Sequence, residues 1–192
     1  MEKIREKKKE IRNRIKKDVF GEDEKGRAVI KINITDSHSV LSDYNDDGDK
    51  IISSETAEFI DSLVKSVPKK KDIVLDIRSE NYTKDKEEVY RKAIENYYVN
   101  KFADKDNKLK HNAFVTLIML VLGVIGFTLL YILTRIDAHW LILDIVEVAS
   151  WVFLWEMVDV FFLQNGYLKI AQKRYLKIIY SEKKFKKLST EK

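Results

Sequence analysis

Four acids and no base stand in the apolar run LILDIVEVASWVFLWEMVDVFFL, Leu141 to Leu163: Asp144, Glu147, Glu156 and Asp159. Carboxylates in apolar surroundings stay protonated and donate hydrogen bonds, hold a cation, or face water. Projected at about 100° per residue, Asp144, Glu147 and Asp159 share a face with Trp140, Trp151 and Trp155, and Glu156 lies at its margin. In depth the acids form two tiers, Asp144 with Glu147 and Glu156 with Asp159, each roughly 7–11 Å along the axis from Trp151. A charged acid at a bilayer centre costs about 2.5–3.5 kcal/mol on insertion scales, and neighbouring Leu, Ile, Val and Phe offset that only for insertion. The acidic face is therefore expected to point into a helix interface or into water, or its carboxyls to be protonated. Two readings stay open here. One is an acid-lined pathway for protons or cations; the other is protonated glutamates acting as interhelical hydrogen-bond glue.

The elements that would hold these acids follow from hydropathy. AFVTLIMLVLGVIGFTLLYILT, Ala113 to Thr134, has no charge. At ~1.5 Å per residue it covers roughly 33 Å, enough for a hydrocarbon core of about 30 Å. The run 140–163 is about as long, and only RIDAH separates the two. A transmembrane hairpin over 111–164 is expected, with spans 113–134 and 140–163. The first span offers no base to the acids, with Thr116, Thr128 and Tyr131 among its few polar groups; its Gly123 and Gly126 permit close helix packing. Lys101, Lys105, Lys108 and Lys110 precede the hairpin, and Lys169, Lys173, Arg174 and Lys177 come after it, whereas the loop holds Arg135 offset by Asp137. The excess of bases outside the loop places both termini in the cytoplasm. Lys169, Lys173, Arg174 and Lys177 are read as contacts to anionic lipid headgroups, on a basic C-terminal helix over 165–192. Neither apolar run is N-terminal, which argues against a cleaved signal peptide, and the lack of cysteine fits a reducing compartment.

The remaining chain reads as a small soluble head. Residues 1–20 form a basic amphipathic helix with Ile4, Ile11, Ile15 and Val19 on one stripe. Residues 21–110 read as a cytosolic βαβα head and stalk. AVIKINIT (28–35) alternates Ile30, Ile32 and Ile34 against Lys31 and Asn33, as a half-buried strand does. The stretch 53–67 is a helix capped by Ser54, burying Ile60, Leu63, Val64 and Val67 and ended by Pro68. DIVLDIRS (72–79) is a second strand, and Thr83 caps a helix with Tyr90, Ala93, Ile94, Tyr97 and Phe102 inward. No proline or glycine falls between Thr83 and Leu122, so that helix is expected to continue as a stalk into the first span. Two strands, or three with KII (50–52), leave sheet edges to be covered by the N-terminal helix, a second copy or a partner. The expected fold class is an α+β membrane protein: a βαβα cytosolic head, a two-helix transmembrane hairpin and a basic C-terminal helix.

Enzyme chemistry finds little support. The chain has no glycine-rich phosphate loop and no cysteine, and His38, His111 and His139 are far apart. DYNDDGDKIISSE (43–55) matches the first half of a calcium loop, but Ser54 holds the place of the bidentate acid. It reads better as an Asp/Asn/Gly turn. No cofactor, metal or nucleic-acid partner is expected. IISSETAEFIDS, EEVYRKAIENYY and SWVFLWEMVDVFF, with its W-x-F-x-W-E-x-x-D pattern at Trp151, Phe153, Trp155, Glu156 and Asp159, resemble a family of small bacterial inner-membrane proteins. The likeness runs from about residue 28 to 176. The resemblance implies a bacterial origin and an α/β head followed by a membrane hairpin; it supplies no activity. The sequence thus points to a homo-oligomer in the inner membrane that is not an enzyme. It is either a head-gated acid-lined pathway or a non-conducting scaffold whose head binds a cytosolic protein.

Overall fold

The computed structural model describes residues 4–7, 10, 21–34, 40–42, 50–68, 70–80 and 83–188 of the 192. Most of the expected N-terminal helix over 1–20, His38 and the acidic turn at 43–49 lie outside the described residues. In chain order the elements are β1 (Gly21–Glu22), β2 (Ala28–Ile34), α1 (Ser54–Ser66), β3 (Ile73–Ser79), α2 (Lys84–Arg135) and α3 (Trp140–Val158). A π-helical turn (Asp159–Gln164), α4 (Asn165–Ile179) and β4 (Glu182–Lys187) complete them. The chain is α+β and mostly helical. It divides into two compact units, Met1–Lys101 with Arg174–Lys192, and Phe102–Lys173.

The first unit is built on a four-stranded sheet of order β1-β2-β3-β4. β2 and β3 run parallel, from Ala28 opposite Ile73 to Ile34 opposite Ser79. β4 also runs parallel to β3, from Val74 opposite Glu182 to Ser79 opposite Lys187, and β1 is antiparallel to β2. β2 keeps the expected alternation, with Ile30, Ile32 and Ile34 buried and Lys31 and Asn33 exposed. β3 has a neighbour on each edge, and all its residues but Arg78 are buried. One core joins Ile30, Ile32, Leu75 and Ile77 to Ala57, Ile60 and Val64 of α1, Ala93, Ile94 and Tyr98 of α2, and Ile178 of α4.

The C-terminal segment corrects the sequence reading. A basic helix was expected over 165–192, but α4 ends at Ile179 and residues 182–187 are a sheet strand. The sheet edge beside β3 is thus covered by the chain itself. Phe185 packs against the core, and Lys183 turns inward, its side chain 1% exposed. Its Nζ donates to Glu95 Oε1 at 3.0 Å and to the Ile179 carbonyl at 2.9 Å, so the buried charge has both an acid and a hydrogen-bond acceptor. The head is therefore closed from both sides of the sequence, with residues 102–173 inserted in the β3–β4 crossover.

Smaller corrections have local causes. Ser53, not Ser54, caps α1, its Oγ accepting from Thr56 N–H. KII forms no strand of the sheet; Ile52 makes only an isolated bridge to Leu41 while its side chain is buried. Phe102 belongs to the second unit, and Tyr98 takes the inner position instead.

Tyr98 is fully buried, and its hydroxyl donates toward Asp61 Oδ1 at 3.1 Å and the Ala57 carbonyl at 3.3 Å. Burial raises the Asp61 carboxyl above its ordinary value, against the lowering pull of the Tyr98 hydrogen bond and of Lys65, Lys101 and Arg174. Burial and the nearby carboxylate likewise push the Tyr98 hydroxyl up, so it stays a donor. A raised folded-state value means that the stability contributed by Asp61 is fully present below its unfolded value and lost as pH rises through the folded one. Asp61→Asn keeps an oxygen acceptor for Tyr98 and removes the desolvated charge. Thermal unfolding of the full chain should show the variant about 2–4 °C more stable at neutral pH. The gap should close below about pH 3.9, where aspartate in the unfolded chain is protonated.

Candidate functional site

α2 is one helix of 52 residues, as the uninterrupted stretch after Thr83 predicted. It is long and apolar enough to cross a membrane, and it is the one such helix among the described residues. α3 is apolar too, but its 19 residues include Asp144, Glu147 and Glu156. The loop Ile136–His139 between them reverses the chain with Asp137 at φ 52°, and His139 Nδ1 accepts from Leu141 N–H at 3.3 Å, capping α3.

Within the second unit α2 and α3 pack along a small-residue seam. A Cβ at Gly123 would lie 2.6 Å from Leu154 Cδ2, and one at Gly126 would lie 3.0 Å from Ser150 Cβ. Leu154 has a flexible end and could yield, whereas at Gly126 the main chain of α3 itself is close, with Ser150 Cα at 3.4 Å. Ser150 is 1% exposed, and its hydroxyl donates back to the Val146 carbonyl at 2.6 Å, leaving no unpaired donor in the seam. Phe127 meets Trp151 edge to face, with ring centroids 5.6 Å apart. Toward the far end, Asn112 Nδ2 donates to Asn165 Oδ1 at 3.0 Å, and Asn165 is 7% exposed.

The acids lie outside this seam. Asp144, Glu147 and Glu156 are exposed, Asp159 is half-buried, and none makes an ion pair among the described residues. Trp140, Trp151 and Trp155 are exposed as well, Trp155 at 74%. The acids and tryptophans are thus largely exposed along α3, although by helical phase Glu147 lies on the same side as Ser150 and Leu154 and Trp151 rests against Phe127, while Gly123 and Gly126 lie inside the pair. The expected regular helix through Leu163 is corrected at Asp159. There the chain enters the π-helical turn, whose wider winding re-phases the faces of α4, and Asp159 Oδ2 accepts from Gln164 Nε2 at 3.0 Å.

The basic collar separates into distinct roles. Lys169 and Lys173 are exposed on α4, near the exposed Tyr167. Arg174 lies within electrostatic reach of Asp61, and Lys177 Nζ donates to the Lys71 carbonyl at 2.7 Å. On α2, Lys105 and Lys108 pair with Asp104, and Lys110 with Asp106. What sequence reasoning missed is Lys183, a lysine in the run read as a basic C-terminal helix; only its alternation with Phe185 hinted at a strand.

Comparisons with protein families, with curated proteins and with solved structures found no match.

Proposed function

We propose that the chain is a two-pass protein of the bacterial inner membrane, with both termini in the cytoplasm, and that its copies assemble around an acid-lined pathway for protons or cations. Connectivity supports the two passes. β4 pairs with β3 in the head, yet α2 and α3 intervene in sequence. If α2 crosses the bilayer, the chain must return to place β4 beside β3. The run from Trp140 to Leu163 is the segment available for that return. The exposed apolar side chains of both helices, among them Phe114, Leu117, Val124, Ile125, Ile145 and Val152, suit lipid contact. Exposed Lys169 and Lys173, below exposed Phe161, Phe162 and Leu163, suit an interface with anionic headgroups.

The observation that carries the functional reading is the placement of the acids. The intrachain seam is filled by Gly123, Gly126, Ser150 and Leu154, and Asp144, Glu147 and Glu156 are left exposed in a single copy. Lipid is a poor environment for them, and further copies can turn that surface into a hydrated interior. In this assembly Glu147 and Glu156 are the inner ligands, and Asp144 and Asp159 stand at the two mouths. α2 runs unbroken from head residues into the hairpin, a continuous element through which a change in the head can bias the pathway. The test is flux into liposomes carrying the Glu147→Gln/Glu156→Gln protein. A protein that assembles but never conducts, in any variant, is a scaffold whose head binds a cytosolic protein.

A further inference from the structure

We infer that Arg135 of one copy pairs with Asp144 of the next, joining copies head to tail through the back of α2 and the acidic face of α3. This rests on the membrane-spanning, oligomeric reading above. Arg135 ends α2 and is the sole base in 112–164 besides the histidine of the loop. It does not extend outward toward the loop. Its guanidinium folds back over Tyr131, 5.1 Å from the ring centroid, and donates to the Tyr131 hydroxyl at 2.9 Å. That contact holds the charge one turn below the end of the helix, at an exposed position.

The seam contacts fix which residues share a level. Gly126 lies against Ser150, so counting six residues along each antiparallel helix brings Asp144 level with Ile132, beside Tyr131. Copies standing side by side in one bilayer share the same depth, so the Arg135 guanidinium of each meets the Asp144 carboxylate of its neighbour at matching height. Within one chain the two groups are turned apart. At about 100° per residue Arg135 points roughly 150° from the Gly123–Gly126 seam, and Asp144 roughly 120° from Ser150. Neither makes an ion pair among the described residues. Opposite charges at one depth, on two different outward faces, define a contact that repeats from copy to copy and closes into a ring or extends as a chain. The pair keeps Asp144 at the mouth of the pathway, held there by the neighbour's Arg135, and leaves Glu147 and Glu156 for the interior.

The test is the copy number of the full chain in nanodiscs, by native mass spectrometry, for the wild type, Arg135→Gln, Asp144→Asn and the double variant. Each single change should weaken self-association about tenfold or more. The double variant should be no weaker than either single, because the second change has no partner left to lose. Unchanged association in the single variants, or additive losses in the double, overturns the pairing while leaving an oligomeric wild type intact. A monomeric wild type instead overturns the oligomeric reading on which the pairing rests.

Discussion

Glu147→Gln/Glu156→Gln should abolish proton or cation flux in liposomes, to below about one tenth of the wild-type rate, while the protein inserts and assembles as before. Glutamine keeps the volume and hydrogen-bonding capacity of glutamic acid but can neither release a proton nor neutralise a cation. Both side chains are exposed on the hairpin and take no part in the seam of Gly126 and Ser150, so their loss leaves intrachain packing unaltered. Removing two carboxylates also lowers the insertion cost, so a fall in flux cannot be assigned to poorer insertion. Retained flux with normal copy number would remove Glu147 and Glu156 from the pathway. Absence of flux in the wild type as well would select the scaffold.

Truncation after Ser181 should unfold the head. It removes β4, strips β3 of a neighbour along Val74–Ser79, and exposes Leu75 and Ile77, which are 0% and 1% exposed in the intact sheet. It deletes Phe185, half-buried against the core, and takes Lys183 from Glu95. Loss of a fully buried aromatic costs about 3–5 kcal/mol, and half-buried Phe185 part of that, so with the lost strand pairing the deletion removes a large part of the roughly 5–15 kcal/mol that holds a domain together. Hydrogen exchange reads the outcome: the amides of β3 should lose their protection in the truncated chain and keep it in the full one. Protection that survives truncation would mean that β4 is an accessory to the head and not part of it.

The contrast between β2 and β4 shows what is legible in this sequence. In β2, Ile30, Ile32 and Ile34 alternate with Lys31 and Asn33, and burial follows that period residue by residue. α1 and α2 announce themselves in the same way, through apolar spacing and the lack of breakers. β4 is EKKFKK, with one apolar residue, and lysine has little preference for strands. It is a strand because β3 needs a neighbour, and lysines along an edge also discourage pairing with other chains. That cause lies about a hundred residues away in sequence, so the local pattern carries little of it beyond the alternation of Lys183 with Phe185. In the hairpin, the residue types Gly123, Gly126, Asp144, Glu147, Glu156 and the three tryptophans were legible, as was the shared face of most of the acids with the tryptophans. Which side of α3 meets α2 was not, because Ser150 and Leu154 carry no signal that marks them as the seam. The backward fold of Arg135 onto Tyr131 was hidden as well, since in sequence Arg135 stands as near to Asp137.

The membrane topology of the hairpin is the claim on which the rest depends, and a chain without cysteine makes it directly measurable. Single cysteines placed at Asp137, in the loop between α2 and α3, and at the exposed Lys186 of β4 would be labelled with a membrane-impermeant maleimide in intact cells and again after permeabilisation. A two-pass hairpin with a cytoplasmic head predicts that the Asp137→Cys chain labels in intact cells and the Lys186→Cys chain only once the membrane is opened. Labelling of both cysteines from the same side would contradict it.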